Sequence, residues 1–154
     1  GAGGGGGGGG WGGAGTIARR PRHFVTAAID LALLAGAELV SVTVAHLHAY
    51  SAFEGAMVLN QTETERAQEE ANIAAQRLVD SVTSIATAKG VRRAEAIVVK
   101  SNQVGEAIIA TAKNEQCDVI VMASHGRRGF ARLLMGSETL HVLTHSHTPV
   151  LVLR

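Results

Sequence analysis

The sequence predicts an α/β domain in which a parallel sheet is covered by helices on both faces. Three observations carry this reading. Segments with apolar residues at helical spacing alternate along the chain with short apolar runs. Those runs are continuous rather than alternating, as in strands buried on both faces. The chain has 154 residues, 46% hydrophobic and 3% aromatic, which suits one domain with an aliphatic core.

The elements follow in order. From Phe24, the run FVTAAIDLALLAGA places Val25, Ala28, Ile29, Ala32 and Leu33 on one helical face, and Gly36 is its stop signal. Glu38–Leu47 is β-branched and apolar and reads as a buried strand. Residues 48–61 have no period and read as a loop; a long helix from about Thr62 to Lys89 follows, ended by Gly90. Ala94–Val99 is the next strand. Ser101 or Asn102 caps a helix from about Val104 to Gln116. Asp118–Ala123 is a strand, Ser137 to about Ser146 a helix, and Pro149–Leu153 the last strand, with its proline at the start where a missing N–H is tolerated.

Residues 1–23 stand apart. Twelve of the 19 glycines lie in GAGGGGGGGGWGGAG, the first 15 residues, so this segment buries almost nothing. It reads as a flexible tail or a run foreign to the domain. A glycine-rich phosphate loop needs a preceding strand and spaced glycines, and a homopolymer has neither. The helix at Phe24 calls for a strand before it, yet glycine is poor in strand interiors.

Composition excludes several function classes. A formal net charge of +1 gives no electrostatic case for nucleic acid or a membrane surface. No apolar run approaches the roughly 20 residues needed to span a bilayer. The single cysteine, Cys117, has no internal partner, and no secretory pattern is visible, so a cytoplasmic location is expected.

Chemistry concentrates in DVIVMASHGRRGFARLLMGSETLHVLTHSHTPVLVLR, from Asp118 to Arg154. A flexible glycine loop after a parallel-type strand, with a helix start behind it, lets backbone N–H groups hold phosphate oxygens. The segment carries Ala123, then Gly126 after two residues, then Gly136-Ser137 after nine more. With this spacing it resembles the universal stress protein (UspA-like) family, whose nucleotide-binding members carry G-x2-G-x9-G-[S/T] between the last two strands. AIDLALLAGAELVSVTVAH is also similar to the family's first helix and second strand. The resemblance covers residues 24–154.

The resemblance implies a single-domain open parallel five-stranded sheet, Rossmann-like and of the adenine-nucleotide α-hydrolase-like kind. It implies a stress-response protein that binds ATP or a related adenine nucleotide, with or without Mg, and acts through nucleotide-dependent dimer or partner binding. Met122 and Ala123 would lie against adenosine, and Val42 and Val44 would flank the adenine. Gly126, Gly136 and Ser137 would approach the phosphates, with Arg127 nearby and Glu138 adding a backbone N–H. A homodimer would form through Val150–Leu153. Two departures stand against the family pattern. Ala123 replaces a glycine. The family's first strand ends in an aspartate within a stretch like PTDGS, which counts back to Ala14–Ala18 here, and no carboxylate precedes Asp30. A non-nucleotide interaction module of the same fold is the alternative, and an α/β enzyme domain of related topology a third.

Other candidates have plainer readings. Ser124 and His125 are adjacent, and neighbours rarely present nucleophile and base to each other. No paired general acid and base is evident, so turnover is not expected beyond weak ATPase activity or autophosphorylation. His141 and His145 share a helix face, and His46 and His48 a strand end, without the further ligands a metal site needs. Arg127, Arg128 and Arg132 either contact phosphate or solvate the loop, solvation being the plainer reading for any single one, and the Glu/Gln/Arg run at 63–77 is a solvated helix face.

Overall fold

The computed structural model describes residues 21–47, 57–124 and 135–153. Eight elements alternate within them: α1 (Pro21–Ala35), β1 (Leu39–Ala45), α2 (Met57–Lys89), β2 (Ala94–Lys100), α3 (Val104–Asn114), β3 (Ile120–Ala123), α4 (Ser137–His145) and β4 (Val150–Leu153). The α/β alternation read from the sequence is present.

Local chemistry sets the element ends. Pro21 opens α1, three residues before the expected start; proline at the first helical position loses an N–H that has no helical partner anyway. Gly36 ends α1 with φ +61, the left-handed value that favours glycine. Helix α2 begins at Met57, so residues 57–61 are helix and not loop. Met, Leu and Gln are good helix formers, but five residues are too few to display a period. The expected loop at 48–56 lies outside the described residues.

The strands form two parallel pairs. β1 runs beside β2 from Leu39↔Ala94 to Ala45↔Lys100, and β3 beside β4 from Ile120↔Val150 to Ala123↔Leu153. Among the described residues these are two two-stranded parallel sheets, so the expected single five-stranded sheet is present only as its two outer pairs. The fifth strand was expected before α1, within residues that lie outside the described ones.

Two cores pack against the strands. Ile29 and Ala32 of α1 bury against Ala86 of α2 and Val91, with Leu39 and Ala94 at the margin. Val104 and Ile108 of α3, Val142 of α4 and Met122 of β3 enclose the second core with Val44 of β1. Fully burying a Val or Ile side chain contributes roughly 1.5–3 kcal/mol. Ion pairs add little: Lys89–Asp30 (3.3 Å) and Arg93–Glu38 (3.6 Å) are exposed to solvent, which screens them.

Candidate nucleotide site

The candidate site lies where β3 ends and α4 begins. The chain leaving β3 is pinned first. The Ser124 N–H donates to the Leu153 carbonyl (2.8 Å), extending the β3–β4 ladder by one step. The Gly136 N–H then donates to the Ser124 carbonyl (2.9 Å), so the described stretches before and after residues 125–134 are bonded to each other. Thr139, buried on the first turn of α4, donates its Oγ1 hydrogen to the Ala123 carbonyl (3.0 Å). Strand end and helix start thus form one unit.

Gly136 is the N-cap of α4, with φ −58 and ψ 144. Any residue adopts those angles, so glycine contributes a missing side chain here rather than a left-handed turn. Ser137 is the first helical residue, where the sequence placed the helix start. The first bond of the helix runs from the Leu140 N–H to the Gly136 carbonyl (2.9 Å). The amides of Ser137, Glu138 and Thr139 therefore precede the helical ladder, at the positive end of the helix dipole. Ser137 and Glu138 are exposed there.

Glu138 does something the sequence did not reveal. Its Oε2 accepts the Gly105 N–H at the start of α3 (2.8 Å), while its backbone belongs to the start of α4. The cap expected from Ser101 or Asn102 is absent: Gln103 is the N-cap of α3 and makes no side-chain cap bond. Ser101 Oγ accepts the Gln103 N–H (3.0 Å), and Asn102 Oδ1 accepts the Leu47 N–H (2.9 Å), which ties the exit of β1 to the β2–α3 turn. Turning the Glu138 carboxylate toward α3 also engages its negative charge with a helix N-terminus.

The remaining residues divide. Met122 and Ala123 are buried at the end of β3 beside Thr139. Val44 has no exposed surface and packs into the second core, so its side chain is committed to packing. Val42 lines the cavity between β1 and β3. Gly126 and Arg127 lie outside the described residues, as do His125, Arg128 and Arg132. Thr139 and Gly105 carry roles that no motif marked; a glycine at the second position of a helix was the one available hint of a close approach.

The histidines pair locally. His141 Nε2 lies 2.6 Å from Glu106 Oε1, and its ring stacks on His145 at 4.2 Å. His145 Nδ1 donates to the His141 carbonyl (2.9 Å). Among the described residues no group of three or more His, Cys, Asp or Glu side chains could hold a metal ion. Burial, with Glu115 and Asp118 adding to it, pushes the Cys117 thiol above its ordinary value, which makes it a poor nucleophile. Among the described residues no helix is long and apolar enough to cross a membrane.

Comparison with known proteins gives a consistent picture. The chain is 41% identical over 49 residues to universal stress protein MJ0577 of Methanocaldococcus jannaschii; the match spans 32% of this chain and 30% of that relative. In structure it is similar to the universal stress protein UspA from Lactobacillus plantarum, with a TM-score of 0.71 at 18% identity over 88% of this chain and 90% of the other. The solved structure of MJ0577 gives a TM-score of 0.69 at 21% identity, covering 86% of each chain. A universal stress protein solved in complex with cAMP gives 0.60 at 21% identity, over 89% and 90%. These structural likenesses show the fold. The profile of the universal stress protein family matches residues 21–154, and the chain belongs to that family.

Proposed function

We propose that this chain is a stress-response protein that binds ATP or a related adenine nucleotide and acts by binding rather than turnover. One observation carries the reading. Ala123, Gly126, Gly136 and Ser137 stand at the spacing of a phosphate loop, and the described stretches before and after residues 125–134 are held together by the Gly136–Ser124 hydrogen bond. The bare Gly136 and the first amides of α4 suit phosphate oxygens. Ser137 and Glu138 supply N–H donors, Arg127 supplies charge, and Met122, Ala123 and Val42 lie toward the nucleoside, with Val44 behind them as packing. Mg accompanies the phosphates when the nucleotide carries it. The likeness to a protein solved with cAMP supports an adenine ligand.

In the family pattern one further strand lies before α1, and its place is between β1 and β3. A homodimer through Val150–Leu153 fits an apolar surface at that edge, where Leu140, Leu143 and Leu151 are exposed. A cytoplasmic location goes with this function. The absence of any carboxylate before Asp30 favours a second reading, a non-nucleotide interaction module.

Calorimetry with ATP separates the two readings. The double variant Gly126→Val, Gly136→Val is expected to bind ATP at least tenfold more weakly than the unaltered chain. Equal affinity would remove the phosphate-loop assignment, and no heat with either protein would leave the interaction module.

A further inference from the structure

Helix α4 is fastened on two sides within its first turn. Thr139 Oγ1 donates to the Ala123 carbonyl of β3 (3.0 Å), and Glu138 Oε2 accepts the Gly105 N–H of α3 (2.8 Å). Consecutive helical residues point about 100° apart, so the two bonds hold the helix from different directions. One bond alone would leave α4 free to roll about its axis. Together they fix its place and its roll, and with them the direction of the Ser137, Glu138 and Thr139 amides. The grip on α3 continues along one stripe of α4, because Glu138, His141 and His145 follow at i, i+3 and i+7. An added Cβ at Gly105 would meet the His141 ring at 2.6 Å and Glu138 Oε2 at 3.2 Å, so both side chains close on the bare Gly105 backbone. His141 Nε2 also lies 2.6 Å from Glu106 Oε1, and its ring stacks on His145.

The direction of the Glu138 side chain has a second consequence. A carboxylate in the first turn of a helix ordinarily serves that helix's own positive end. At α4 it would compete with a phosphate for the same N–H groups. Glu138 instead directs its charge to the start of α3, where Gln103 makes no side-chain cap bond. The leading amides of α4 are thereby left to a ligand.

We propose that Glu138 is a positioning residue of the phosphate site: its carboxylate latches the first turn of α4 to α3 and so aims the α4 amides at the phosphates. The proposal rests on the nucleotide reading. The side chain of Glu138 acts through the orientation of α4, with Thr139 as the second anchor and the His141–Glu106 pair bracing the contact.

The test compares Glu138→Gln with Glu138→Ala in the full chain. Both lack the charge, and only glutamine keeps an oxygen that can accept the Gly105 N–H. In calorimetry with ATP the glutamine variant should bind about fivefold more tightly than the alanine variant, the size of one net hydrogen bond. Adenosine, which has no phosphate, should bind the two variants equally, whereas a general loosening of the domain would weaken both ligands alike. Should Glu138→Ala fail to fold by circular dichroism, Glu138→Leu takes its place in the comparison. Equal ATP affinity of the two variants, or a parallel loss of adenosine, would overturn the proposal, and ATP binding by the unaltered chain would then keep the nucleotide reading standing. No ATP binding by the unaltered chain would remove both.

Discussion

Replacing Gly105 by alanine tests the contact between α3 and α4 that orients the candidate site. A Cβ at this position would lie 2.6 Å from His141 Cδ2, 3.1 Å from its Cγ and 3.2 Å from Glu138 Oε2. Carbon atoms rest at about 3.5–4.0 Å, so the helices or the ring must move by roughly 1 Å. If the ring swings out, the half-exposed His141–Glu106 pair breaks, at about 0.2–1 kcal/mol. If the helices part, the Gly105–Glu138 hydrogen bond stretches; one to a charged acceptor is worth about 1.5–3 kcal/mol. Against this, alanine is preferred to glycine in a helix by about 0.5–1 kcal/mol. Because both the His141 ring and Glu138 Oε2 stand too close to the added Cβ, both costs enter in part, and the balance against the alanine gain is a destabilisation of about 1–2 kcal/mol, or about 3–6 °C in Tm for a domain of this size. Urea unfolding monitored by circular dichroism measures it. The double variant Gly105→Ala, His141→Ala removes the ring and should recover most of the loss, giving a coupling of about 1 kcal/mol or more. A stabilised single variant would mean that helix propensity alone governs the position, and the packing argument would be refuted.

Three further outcomes are expected. Thr139→Val keeps shape but deletes the bond to the Ala123 carbonyl, and should cost about 1 kcal/mol in urea unfolding and weaken ATP binding a few-fold; an unchanged midpoint would contradict the anchoring role. Cys117 should react slowly with iodoacetamide at neutral pH, with a pH–rate midpoint above that of free cysteine. Because its folded thiol value is raised, stability is fully present below the unfolded thiol value and falls as pH climbs from there through the folded one; Cys117→Ala should remove that alkaline slope. Leu151→Glu, placed on the exposed apolar edge of β4, should shift a sedimentation profile toward monomer, and a retained dimer would move the interface elsewhere.

Much of the fold was legible because continuous apolar runs report strands buried on both faces. Leu39–Ala45 and Ala94–Lys100 fall within two or so residues of where the sequence put them. The stop at Gly36 was legible because an L-residue with a side chain rarely adopts φ +61. The start of α2 was not, because Met57–Gln61 is too short to show a period. In the site, the spacing Ala123-x2-Gly126-x9-Gly136-Ser137 was legible as local sequence. The Glu138 carboxylate was not, because its partner Gly105 lies 33 positions away and only tertiary packing joins them. Val44 was assigned to a ligand face, yet its side chain lies in the core. Which face a strand-end residue takes depends on the pleat and the neighbouring strand, and neither is fixed by one strand's sequence.

The two halves of the molecule differ in how much they depend on what precedes α1. Among the described residues, hydrogen bonds from Gly136 to Ser124 and from Thr139 to Ala123 join the end of β3 to the start of α4, and the core beneath them is closed by α3, α4, β3 and Val44. This part of the candidate site is thus held by local contacts. The other wall is different: Val42 of β1, in register with Ile97 of β2, lines the cavity together with Met122 of β3.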